Sequence, residues 1–148
     1  NHIMAKLNPS RAAQTVLSAE FTFEFADTMK DVNGVTKDFK TVGSTVVDAI
    51  NLPPRATIVS GEVVTETAVT GSTAYNVSVG DSGSATRYLG VTNRLSAGRT
   101  PLVPTGYVGD GENLRLTVSP TVAEATAGKV TVRVQYIMRD RWSETVTN

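Results

Sequence analysis

The residue types that usually carry covalent or acid–base chemistry are scarce in this chain, and the gaps decide more than the residues present. His2 is the only histidine, and there is no cysteine. His2 sits in Asn1-His2-Ile3, ahead of Met4, a stretch that reads as a cloning remnant, so Met4 is the expected natural start. A Ser–His–Asp or Cys–His relay needs an imidazole to take the nucleophile's proton, and no other residue here supplies one. Zinc sites lean on the same two side chains. Paired acids remain. Glu62 and Glu66 lie four apart, as do Glu20 and Glu24, and a glycosidase needs only two carboxyl groups. On one strand face that spacing separates Cα atoms by roughly 13 Å. A solvated face is therefore the expectation for each pair.

Other stretches carry a superficial likeness to functional motifs. Gly80-Asp81-Ser82-Gly83 resembles the nucleophile segment of chymotrypsin-like serine proteases, but only over four residues and with no base to serve it. A turn between two strands is the expected reading. Gly109-Asp110-Gly111-Glu112-Asn113 offers oxygen ligands without the alternating acidic spacing of a calcium loop, so a solvated hairpin turn is expected there. Asn76-Val77-Ser78 matches the glycosylation tripeptide by chance. No phosphate-cradling or dinucleotide-binding glycine motif occurs. The chain is expected to have no cofactor, no metal and no catalytic residue.

Arginine is the residue type with more to offer. Arg87, Arg94 and Arg99, with Tyr88 beside the first, fall in one stretch, and Arg139, Arg141 and Trp142 form a second group near the C-terminus. A guanidinium is a planar, bidentate donor suited to carboxylates, and Trp and Arg anchor many interfaces. These seven are the candidate interface residues. Each arginine of the first group has two open readings, docking onto an acidic partner or tethering its own loop to the domain.

The elements that must position these residues are strands. The chain has 148 residues, 40% hydrophobic and 19% charged, which suits one domain with one ordinary core. It holds 21 Val and 21 Thr alongside 12 Gly, and β-branched side chains favour a pleated surface. Phe21, Phe23 and Phe25 alternate with polar residues, as do Tyr75, Val77 and Val79. So do Leu114, Leu116 and Val118, and Val130, Val132, Val134, Tyr136 and Met138. Such a period of two predicts strands with one buried face. Thr45–Leu52 is a further strand, stopped by Pro53-Pro54. Ala56–Val69 is another, with a phase change near Ser60-Gly61 that marks Gly61 as a bulge or bend.

Asn33-Gly34 is a hairpin signal, and Gly71-Ser72, Gly80–Gly83, Gly109–Gly111 and Gly128 punctuate the rest. Thr86–Pro104 fits least well and reads as a long crossing loop, with one helical turn near Thr92–Ala97. The predicted fold is all-β: an antiparallel β-sandwich of jelly-roll or Greek-key type. Its parts are an extended N-terminal arm over 4–18, a single domain over 19–142 and a frayed end over 143–148. No apolar run approaches the ~18 residues of a membrane span, and zero net charge leaves no field to hold nucleic acid or an anionic membrane.

Several short blocks also resemble a known family. Ile50-Asn51-Leu52-Pro53-Pro54, Gly61-Glu62-Val63-Val64, Val79-Gly80-Asp81, Arg87-Tyr88-Leu89, Gly98-Arg99-Thr100, Thr105-Gly106-Tyr107 and the strand Val130–Ile137 look like small head proteins of tailed bacteriophages, the capsid decoration or cement proteins. The resemblance spans about residues 45–138. It implies a jelly-roll sandwich on the capsid exterior that clamps major capsid protein subunits after head expansion. It further implies a homo-oligomer, trimer or dimer, without a cofactor. A tail, baseplate or fibre-head module, some of which bind glycans, is the other structural class to which such a chain could belong.

Overall fold

The computed structural model describes residues 15–138. The suspected remnant 1–3, most of the expected arm, the last residues 143–148 and the candidates Arg139, Arg141 and Trp142 lie outside the described residues. Eleven strands form in the order β1 Leu17–Glu24, β2 Thr28–Lys30, β3 Thr36–Asp38, β4 Thr45–Ile50, β5 Pro54–Thr70, β6 Ala74–Gly80, β7 Leu89–Asn93, β8 Gly98–Pro101, β9 Val108–Asp110, β10 Leu114–Thr121 and β11 Ala127–Met138. Leu17 and Ser18, within the span expected for the arm, open β1 and pair with Tyr136 and Gln135.

Two sheets face each other. One has the order β1-β11-β5-β8, with β9 also on β5, and the other has the order β4-β10-β6-β7. Strands β4, β5 and β6 alternate between the sheets, as do β7 and β8, and β10 and β11. That alternation, with every pairing antiparallel, is the jelly-roll path. A hairpin of β2 and β3 stands beside the sandwich, turning at Gly34 with φ of +78°.

The expected alternation sets the core. Val77, Val79, Leu114, Leu116 and Val118 point inward from one sheet, and Phe23, Val63, Val130, Val132 and Val134 from the other, all buried. Tyr75 completes the first layer, its hydroxyl donating to the Phe39 carbonyl at 2.8 Å. Burial pushes the Tyr75 pKa well above the ordinary tyrosine value.

The phase change in β5 is real but displaced. Ser60 pairs with Gln135 and Ile58 with Tyr136, so the extra residue is Val59. Gly61 serves another purpose. A Cβ there would lie 2.5 Å from the Arg133 carbonyl oxygen and 2.7 Å from Leu102 Cδ1, so glycine lets Leu102 close over the sheet.

The stretch Thr86–Pro104 departs from expectation. It crosses between the sheets, but as two strands rather than a loop, and no helical turn forms at Thr92–Ala97. Asn93 and Thr92 pair with Asn76 and Val77, which extends the edge of one sheet. Gly98, at φ of +136°, then turns the chain so that β8 pairs with β5 in the other. The tight, non-helical turn between them leaves no room for a helix nucleus. The Gly109–Asn113 segment likewise is not a hairpin: it leads from β9 on one sheet to β10 on the other.

Candidate interface

The nominated residues that the structure describes, Arg87, Tyr88, Arg94 and Arg99, fall into three neighbourhoods. The first lies at the end of the sandwich where β6 hands over to β7. Gly80 permits the loop to fold back so closely that a Cβ there would meet the Ser84 carbonyl oxygen at 2.0 Å. The fold-back buries Asp81, whose Oδ1 accepts from the backbone N–H groups of Gly83 and Ser84, both at 2.9 Å. Arg87 closes the arrangement as a fork. Its Nε donates to Asp81 Oδ2 at 2.6 Å and its Nη2 to Oδ1 at 3.2 Å. The guanidinium lies over the Tyr107 ring, 3.7 Å from the centroid.

Tyr107 in turn donates its hydroxyl to Glu112 Oε1 at 2.5 Å, and Glu112 Oε2 accepts from the Asp110 N–H. The Tyr107 hydroxyl holds the Glu112 carboxyl below its ordinary range. The Glu112 oxygens, part of the set that suggested a calcium loop, are thus used internally. Among the described residues no group of three or more His, Cys, Asp or Glu could hold a metal ion. Tyr88 is buried beneath this cluster, and burial pushes its pKa up to about 12.

The second neighbourhood is the turn between β7 and β8. Arg94 Nη2 donates to the Ser96 carbonyl at 2.8 Å and Nη1 to Thr100 Oγ1 at 3.2 Å, while its own carbonyl accepts from Thr65 Oγ1 at 2.7 Å. These bonds tie the turn to itself and to β5.

The third neighbourhood is the outer face of the β1-β11-β5-β8 sheet, and sequence reading found only part of it. Arg99 pairs with Glu62. Glu62 also accepts from Arg133 Nη1 at 2.6 Å, and Arg133 Nε donates to Glu20 at 3.0 Å. The chain Glu20–Arg133–Glu62–Arg99 therefore crosses all four strands. A shorter row runs beside it: Thr22 and Thr131 share a hydroxyl hydrogen bond of 2.8 Å, Thr131 donates to Glu66, and Lys129 sits 3.5 Å from Glu66. The hydrogen bond from Arg99 lowers the Glu62 pKa, and that from the Thr131 hydroxyl lowers the Glu66 pKa. Glu20, Glu62 and Glu66 are thus held in cross-strand ion pairs rather than merely solvated.

Arg133, Lys129 and Asp81 were not nominated from sequence. For Arg133 and Lys129 the signal was present. Glu20 and Glu24, Glu62 and Glu66, and Lys129 and Arg133 all repeat at a spacing of four, which lets opposite charges align across neighbouring strands.

No family model matches the chain, and no curated protein does. Solved structures do. A chain of the cyanophage Pam1 capsid asymmetric unit is similar with a TM-score of 0.62 and 22% identity, over 93% of this chain and 96% of that one. A chain of the capsid of Ralstonia phage GP4 is similar with a TM-score of 0.57 and 14% identity, over 90% and 91%. A chain of the acid-stable capsid of Helicobacter pylori bacteriophage KHP30 gives 0.55 and 17%, over 89% and 94%. At these identities the likeness is one of fold, and it runs nearly end to end in both directions.

Proposed function

We propose that this chain is a structural protein of a phage virion, a decoration or cement protein that binds the outside of the capsid and stabilises the lattice of its major capsid protein. The observation that carries the reading is the near-complete mutual coverage with chains from three phage capsid structures. Each of those chains is thus nearly spanned by this one and is itself a small protein. The chemistry supports the same reading. Among the described residues the polar clusters are ion-pair and hydrogen-bond networks that tie strands and loops to one another.

The protein acts by binding alone, without a cofactor, as a homo-oligomer of two or three copies. A lattice repeats one site many times, so modest affinity per copy becomes avidity once copies are joined. Arg99, with 60% of its side chain exposed, is the nominated residue best placed to reach an acidic patch on a capsid subunit. Arg87, Tyr88 and Arg94 hold the neighbouring loops in shape for it. Arg139, Arg141 and Trp142 are proposed as further anchors on residue type.

The test is co-sedimentation of the purified protein with expanded capsids of its own phage that lack it. Saturable binding at a fixed ratio to the major capsid protein is the expected result. Absence of binding at saturating concentration sinks the proposal.

A further inference from the structure

Three of the four outer strands of the sandwich have guarded edges. Strand β8 has four residues, including Pro101 and the charged Arg99. Strand β7 is short, its register on β6 shifts, and the Val103 N–H meets the Tyr88 carbonyl just before it begins. Strand β4 has its Val46 carbonyl taken by the Val32 N–H. Short strands, proline, charge, irregular pairing and covering loops are the ordinary ways of blunting an edge.

Strand β1 differs. It has eight residues, pairs with β11 in unbroken register, and contains neither proline nor bulge. Its outward groups follow from alternation. The Phe25 N–H reaches Gly128 across the ladder, whereas the Glu24 N–H and carbonyl turn outward, where Asp27 meets both. Ser18, Glu20 and Thr22 share the outward orientation of Glu24, as does Val16 just before the strand. Among the described residues no other hydrogen bond is made to these outward backbone groups, although β4 approaches β1 to within 8 Å. Beside it lie Val16 and Leu17, 54% and 38% exposed. Phe21 is half-buried at the rim of a cleft of about 570 Å³ that Phe23, Met29 and Phe39 also line.

We infer that this edge is the two-fold interface of a homodimer, in which β1 of a second copy lies antiparallel to β1 about an axis through Ala19. The register follows from the residues. Only the centre at Ala19 maps the free stretch from Val16 to Thr22 onto itself and so pairs every outward group short of the Asp27 cap. Centres on Glu20 or Thr22 set Glu20 against Glu20 or Glu24, and like charges directly opposite repel. The centre at Ala19 sets Glu20 against Ser18 and Thr22 against Val16, with no acid facing an acid. On the inner face it sets Leu17 against Phe21 twice, which covers the exposed leucine at the rim of the cleft. Two four-stranded paths then join into one continuous sheet.

The inference does not depend on the capsid reading, because it is tested with the protein alone. Light scattering and sedimentation on the full chain should show a dimer. Ser18→Glu places acid against Glu20 twice, and Ser18→Lys places a cation there twice. Cross-strand pair energies, doubled by the two-fold axis, predict a dissociation constant shifted by about 2- to 30-fold, upward for the glutamate and downward for the lysine. A general effect on the fold would move both variants the same way. Ala19→Cys adds a geometric check in a chain that otherwise has no cysteine. At a non-hydrogen-bonded pair on the axis the Cα atoms lie about 4.5 Å apart, within disulfide reach, so mild oxidation should cross-link the dimer. Thr22→Cys, facing Val16, should not. A monomer at every concentration overturns the inference, and so does an oligomer that ignores both Ser18 substitutions or fails to cross-link through Cys at position 19.

Discussion

Two of the settings in which the molecule pairs arginine with a carboxylate do different things. At the end of the sandwich, Arg87 and Asp81 form a fork in which the carboxylate side chain is 4% exposed and also holds two backbone N–H groups. On the outer sheet face, Arg99, Glu62, Arg133 and Glu20 form a row whose members range from 20% to 60% exposed. Buried, the pair organises the backbone: without it, Asp81 would be a charge stranded in the core. Exposed, it costs little to make and little to break, so its groups remain available to a partner. One chemistry thus builds a loop in one place and leaves a surface in the other.

The sharpest way to break this contrast is to remove Asp81. Asp81→Ala leaves two N–H groups and the Arg87 guanidinium without their acceptor. Removing one member of a buried pair typically costs about 3–5 kcal/mol. The urea midpoint should fall accordingly, and proteolysis should open first between Gly80 and Tyr88. A loss below about 1 kcal/mol, the range of exposed pairs, would place the fork in the same class as the outer row.

Tyr107→Phe divides the same cluster. The ring stays beneath the Arg87 guanidinium, but the hydroxyl donated to Glu112 is gone. A hydrogen bond of this kind contributes about 1–3 kcal/mol, with the low end expected for a half-exposed pair. The Glu112 carboxyl should then titrate closer to the ordinary glutamate value of 4.5, because the hydroxyl is the main cause of its lowering. Carboxyl-resolved NMR titration reads this directly. An unmoved Glu112 would mean that the backbone N–H groups hold it down by themselves.

These two regions differ in how far sequence exposes them. The strands that carry the core, Tyr75–Val79, Leu114–Val118 and Val130–Val134, are legible because strict alternation states both the strand and its buried face. β7 is not, because Gly90 and a register shift interrupt a run of only five residues. Asp81 reads as part of a turn between two strands, and Arg87, six residues on, as part of a long crossing loop. Nothing local says that Gly80 lets the loop fold inward. The outer row required knowing which strand lies beside which. Glu62 and Glu66 look like a loose acid pair until the β5–β11 register sets Arg133 opposite Glu62 and brings Lys129, opposite Thr67, beside Glu66.

Acidification separates the regions in another way. The Glu62, Glu66 and Glu112 carboxyls all have folded pKa values below the ordinary 4.5. Such groups stabilise the fold above their unfolded pKa, and that stability is lost as pH falls through the depressed folded values. The urea midpoint should therefore hold steady down to about pH 5 and decline below 4.5. In Arg99→Ala the decline should be shallower and finish at higher pH, since the bond from Arg99 is the largest cause of the Glu62 lowering. At the alkaline end the sign reverses. Tyr75 and Tyr88 have raised folded pKa values, mainly through burial, so their contribution is complete below the ordinary value of 10 and fades as pH climbs through the raised ones.

The smallest expected change in stability is the most informative about function. Arg99 is the outermost member of the row, at 60% side-chain exposure, on the short edge strand β8. Arg99→Ala removes an exposed ion pair, and Glu62 retains Arg133 at 2.6 Å, so no carboxylate is stranded. Exposed pairs of this kind contribute about 0–1 kcal/mol, and a denaturation midpoint within that range is expected at neutral pH. If the outer face meets a capsid subunit, the same substitution should weaken capsid binding several-fold and flatten its salt dependence, because a donor offered to the partner is lost while the fold is kept. Asp81→Ala should do the reverse, lowering stability strongly while weakening capsid binding of the folded fraction less than Arg99→Ala does. Equal losses of stability and binding in both variants would erase the distinction between a pair that shapes the protein and a pair that faces its partner.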